Sequence, residues 1–143
     1  TMIKIDSTAI EPLRQRLRAA GLRPTRQREE LAGLLFRDGN RHVTAEVLHR
    51  EAIQDDAQVS LATVYNTLHQ FTRAGLLREV VVDSGRAYFD THTGPHHHFF
   101  NTVSQELTDI PADRVLVVDL PAPPTGTQVD GVEVVIRVTP QNG

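Results

Sequence analysis

The chain contains no cysteine, no long apolar run and no excess of positive charge. Without thiols there can be no disulfide and no cysteine-based zinc site, so any bound metal must be held by His, Asp, Glu, backbone or water. No hydrophobic stretch approaches the ~20 residues of a membrane-spanning helix, and the first residues lack the apolar core of a signal peptide. The expected compartment is therefore the cytoplasm, with no membrane partner. A net charge of −3 argues against indiscriminate coating of nucleic acid.

What is present is unevenly distributed. The 143 residues suffice for one ordinary domain or two small ones, and the charge pattern favours two. Residues 1–90 carry 13 Lys/Arg against 12 Asp/Glu, whereas residues 91–143 carry 2 against 6. Between Glu11 and Glu29 lie six arginines and no acid: Arg14, Arg16, Arg18, Arg23, Arg26 and Arg28. Such a stripe is either a solvated helix face or a surface for phosphates.

Apolar periodicity predicts four helices in the first half. Ile10, Leu13, Leu17 and Ala20 recur at helical spacing, and Gly21 supplies a stop. Thr25 is a natural N-cap for a helix with Leu31, Leu34 and Leu35 inward, as is Thr44 for one with Ala45, Leu48 and Ala52 inward. Ser60 caps the fourth, in which Leu61, Val64, Leu68 and Phe71 form the inward stripe and Thr63, Tyr65, Asn66, Thr67 and Gln70 fall wholly or partly outside it. Two strands then read as Leu76 to Val82 and Arg86 to Asp90, joined at the turn signal Asp83-Ser-Gly85. Helices followed by a strand ribbon describe a winged helix, whose recognition helix lies in the DNA major groove and reads base edges with hydroxyl and amide groups.

The breaker-rich Thr91-His-Thr-Gly-Pro95 reads as a hinge. Beyond it, strands are expected at 97–103, 114–119 and 132–138, with a shorter one at 105–109 and a Pro-rich connection at 121–126. A mostly β unit this small buries too little to stand alone, so it is expected to complete itself against a second copy. The fold class is thus α+β: a winged-helix DNA-binding domain at 1–90, a hinge at 91–95, and a small α/β or mostly β dimerisation and metal-sensing domain at 96–143.

The most informative run is His96-His97-His98, with Asp90 six residues before it and Asp109 eleven after it. On a strand His96 and His98 share one face and His97 takes the other. Imidazoles and carboxylates together suit Fe(II), Mn(II) or Zn(II), without choosing among them. Gly21-Leu-Arg-Pro-Thr-Arg-Gln-Arg28, His42-Val-Thr-Ala45, Ser60-Leu-Ala-Thr-Val-Tyr-Asn66 and the His-x-His after the hinge resemble the ferric uptake regulator superfamily, in order over roughly residues 10–110. The His-His-His-Phe-Phe run, Ser104-Gln-Glu-Leu-Thr-Asp-Ile-Pro111 and the C-terminal Val132 to Val138 look most like its iron response regulator branch.

That resemblance implies a homodimer on palindromic, double-stranded operator DNA, serving iron or haem homeostasis. It maps a regulatory metal site onto His42, Asp90, His96, His98 and Asp109, with His42 supplied from the DNA-binding half. It places Arg23 toward the minor groove and Arg26 and Arg28 on backbone phosphates, while Thr63, Tyr65 and Asn66 are expected to contact bases. Many members carry a structural zinc on two Cys-x-x-Cys pairs, and some iron response regulators carry a Cys-Pro haem motif; neither is available to a chain without cysteine. Haem, if bound, must therefore use histidine, with His96, His97 and His98 as candidates. A peroxide or other metal sensor of the same superfamily is the nearest alternative. A metal-dependent hydrolase would need an open coordination position, a substrate pocket and a general base that the sequence does not supply, so no enzyme is expected.

Overall fold

The computed structural model describes residues 7–83 and 85–142, and the chain divides into two compact units, Thr1–Thr93 and Gly94–Gly143. The first holds helices α1 (Ser7–Ala19), α2 (Arg26–Phe36), α3 (Ala45–Gln54) and α4 (Leu61–Arg73), with strands β1 (His42–Val43), β2 (Arg78–Asp83) and β3 (Arg86–Asp90). Thr25, Thr44 and Ser60 cap the last three helices, each hydroxyl accepting from the amide three residues on. Two ends follow one geometric device. Gly21 and Gly75 take positive φ, which lets Leu22 and Leu76 donate back to the carbonyls of Leu17 and Phe71. Asp56 ends α3 in the same conformation at φ 60°.

The helices close around Leu17, Leu31, Leu35, Leu48, Leu68 and Phe71, all essentially without solvent exposure. Leu61 departs from the expected inward stripe and is exposed. Side chains lean toward a helix N-terminus, so a first-turn leucine reaches past the end of the core. Thr67 departs the other way and is buried. The β2–β3 ribbon forms as expected, although Ser84 of its turn lies outside the described residues. The sequence reading missed β1, which pairs antiparallel with β3 and makes a three-stranded sheet of order β1-β3-β2. Arg41 fixes this short strand: its backbone bonds with Thr91, and its guanidinium grips Glu51 of α3 at 2.7 and 2.9 Å.

The second unit is a sheet of order β5-β4-β6, from β4 (His96–Asn101), β5 (Leu107–Pro111) and β6 (Val135–Val138). β4 runs antiparallel to β5 and parallel to β6. The expected strand at 114–119 does not form. After β5 the chain makes a short 3-10 turn at Ala112–Arg114, and the apolar run that follows takes no sheet partner among the described residues, leaving Leu116 87% exposed. Strand propensity needs a paired edge to be realised. Among the described residues, no helix is long and apolar enough to cross a membrane.

Candidate metal centre and nucleic-acid interface

Alternation along β4 separates the three histidines by face. His96 and His98 share a face, their rings meeting edge to face with centroids 4.5 Å apart. The register sets Asp109 opposite His98, and Asp109 Oδ1 lies 3.4 Å from His98 Nε2 and 3.7 Å from His96 Nε2. Donors held at about 2.1 Å by one cation stand roughly 3.0–3.4 Å apart, so each of the two histidines lies close to metal-shell spacing from Asp109. The tautomers agree with that use. His96 Nδ1 is 2.7 Å from the Gly94 carbonyl, which can only accept, so Nδ1 carries the hydrogen and Nε2 the lone pair. His98 Nδ1 lies 3.1 Å from Glu133 Oε1, an ion-pair distance without the alignment of a straight hydrogen bond, and the carboxylate favours the same tautomer.

His97 is arranged in the opposite sense. Its Nδ1 accepts a 2.9 Å hydrogen bond from the Val134 amide, so in the neutral ring the hydrogen sits on Nε2. The lone pair that an axial haem bond would need is already engaged with backbone, which runs against His97 as the haem ligand. Its place in the fold is structural: Val134 bonds to β4 twice, through this imidazole and through its carbonyl to the His98 amide at 3.1 Å.

In the first unit, β1 and β3 bring His42 and Asp90 together as cross-strand partners, with His42 Nε2 3.9 Å from Asp90 Oδ2. Asp90 is buried, and its other oxygen accepts from the His92 amide at 2.9 Å. One imidazole and one oriented carboxylate oxygen make a second, smaller donor set.

The outward face of α4 carries the groups expected to meet DNA, but they are not equally free. Asn66 is exposed. The Tyr65 hydroxyl donates to Glu46 Oε1 of α3 at 2.7 Å. That hydrogen bond is the main reason the Glu46 carboxyl titrates below, and the Tyr65 phenol above, its ordinary value. Thr63 is drawn into the helix cap, its hydroxyl accepting from Ser60 at 2.9 Å. The arginine stripe also divides. Arg16 stacks on Phe36, Arg14 pairs with Glu29, Arg18 with Glu11 at 3.3 Å and Arg26 with Glu30 at 2.9 Å, and the Arg26 side chain is the more exposed of the last two. Arg23 is exposed.

Residues 19–130 match the model of the Ferric uptake regulator family. The chain belongs to that family. A ferric uptake regulation protein of Pseudomonas fluorescens is 33% identical over 100 residues, which cover 69% of this chain and 81% of the relative. One from Bordetella parapertussis is 36% identical over 81 residues, 57% of this chain but only 58% of the relative's own length. The structure of the ferric uptake regulator from Pseudomonas aeruginosa with manganese superposes with a TM-score of 0.68 at 25% identity, covering 90% of this chain and 98% of that one.

For this family member, the sequence reading omitted Glu133 and Glu46. Glu133 stands two residues before β6, and the cue to it is the parallel register that brings Val135 beside His98. That pairing is long-range and carries no local signature. Glu46 looks like an ordinary first-turn acid of α3, favoured there by the helix dipole, and only the packing of α3 against α4 reveals its second role.

Proposed function

We propose that this chain is a metal-responsive regulator of transcription that acts as a homodimer on palindromic operator DNA. The observation that carries the metal reading is the convergence of two buried imidazole Nε2 atoms on Asp109, with backbone and carboxylate partners turning their lone pairs toward it. Fe(II), Mn(II) and Zn(II) all accept such ligands. Donor chemistry and the family resemblance support one cation drawing on His42 and Asp90 as well as His96, His98 and Asp109. A bound ion supplies charge and fixed geometry; the protein supplies oriented imidazoles. Arg23, Arg26, Thr63, Tyr65 and Asn66 make up the set that meets DNA, with Arg23 directed to the minor groove and Arg28 set beside them.

Within the family we place the chain in the iron response regulator branch, on the His-His-His-Phe-Phe run, the segment Ser104 to Pro111 and the C-terminal Val132 to Val138. Haem then has His96 or His98 as its ligand, since each keeps an Nε2 lone pair, and haem and divalent metal compete for the same nitrogens. Haem titration in the presence and absence of Mn(II) tests this: mutual exclusion supports the assignment, and simultaneous saturation contradicts it.

The dimer reading rests on the second unit, which leaves Leu116, Val118, Leu120 and Val129 exposed outside its three-stranded sheet, a unit too small to bury a self-sufficient core. The wild-type chain is expected to scatter light as a dimer at micromolar concentration, and Leu116→Asp with Val118→Asp to shift it to monomer. A monodisperse wild-type monomer would remove this part of the account.

A further inference from the structure

Arg28 has a position unlike that of the other arginines near α2. Its Nη1 donates to the Arg23 carbonyl at 2.8 Å, while Nε and Nη2 both reach Gln70 Oε1, at 3.4 and 3.1 Å. Its own amide is the one that Thr25 caps. Gln70 lies one helical turn beyond Asn66 on α4. The guanidinium therefore spans from the segment that carries Arg23 to the face that carries Asn66. A polar recess of about 320 Å³ lies here, lined by Arg28 and Gln70 together with Arg23, Thr63 and Asn66.

We propose that Arg28 and Gln70 form a positioning strut that sets the spacing between Arg23 and the reading face of α4, and that Arg28 is not itself a phosphate contact. The proposal rests on the DNA-binding reading above. A planar fork can hold two acceptors in fixed directions at once, which a lysine ammonium cannot reproduce. Three donor groups of Arg28 are held by protein oxygens, in contrast to Arg26, whose side chain is 73% exposed. If Arg23 enters one groove and Asn66 the adjoining one, both can engage only when their separation matches the duplex. The strut fixes that separation before DNA arrives, so less ordering is left for the moment of binding.

The test uses the full chain and a palindromic duplex that it selects from random DNA, beside an unrelated duplex, over a range of salt. Arg28→Lys, Arg28→Leu, Gln70→Leu, the Arg28→Leu/Gln70→Leu double variant and Arg26→Leu are compared. Each single strut variant is expected to weaken the selected duplex by about tenfold, the double variant by no more than the worse single one, because the pair acts as a unit. The salt slope stays unchanged for Gln70→Leu and Arg28→Lys, whereas Arg26→Leu lowers it by about one unit. Lysine keeps the charge, so an Arg28→Lys protein that binds like wild type, with Gln70→Leu silent, would overturn the strut and restore Arg28 as a phosphate contact. A wild-type chain that binds no duplex in a salt-dependent way would overturn the DNA reading itself, and the strut with it.

Discussion

His98→Ala is expected to lower affinity for Fe(II), Mn(II) or Zn(II) by roughly 100-fold or more, whereas His97→Ala leaves it within a few-fold of wild type; even outer-shell partners of a metal ligand are commonly worth about 10–100-fold. The contrast follows from strand geometry. His98 Nε2 and Asp109 Oδ1 are 3.4 Å apart on one face, while the His97 ring faces the other way and accepts from Val134. Losing His97 removes the acceptor for a backbone amide, and the expected result is a drop in stability of about 1–3 kcal/mol. Glu133→Ala belongs between these cases: His98 remains, but the carboxylate that favours its tautomer is gone, and a loss of about 10-fold is expected. Competition titration with a chromophoric chelator measures all three. Equal metal loss in His97→Ala and His98→Ala would show that the two faces of β4 do not divide the work.

The second large effect is expected on α4. Asn66→Ala should cost about 1–3 kcal/mol on the selected operator and little on random DNA, the signature of a lost bidentate base contact. Tyr65 separates into ring and hydroxyl. Its hydroxyl is bound to Glu46, so the ring is what remains for apolar contact with a thymine methyl. Tyr65→Phe is therefore expected to keep operator preference, and Tyr65→Ala to lose it. Fluorescence anisotropy on both duplexes reads the difference, and equal losses on both for Asn66→Ala would remove α4 as the reading element.

Much of this was legible in the sequence wherever the determining interactions are local. Thr25, Thr44 and Ser60 announce the starts of α2, α3 and α4 because a cap needs only an amide three residues away. His96 and His98 could be placed on one face because strand alternation is a backbone property. The failures are non-local. β1 has two residues and exists because β3 offers an edge and Arg41 reaches Glu51. The run at 114–119 has the apolar, β-branched character of a strand yet finds no sheet partner among the described residues. Glu133 and Glu46 gain their roles through contacts 35 and 19 residues away in sequence, and the tautomer of His97 is set by Val134 across the parallel β4–β6 pair.

The most direct test of metal-responsive regulation is the operator affinity of wild-type and His98→Ala protein, each with and without saturating Mn(II). The account predicts that metal changes wild-type affinity by roughly 5–150-fold, the usual range of coupling between two sites, and leaves His98→Ala unresponsive. Identical wild-type affinity in the two conditions, with metal shown to be bound, would contradict it.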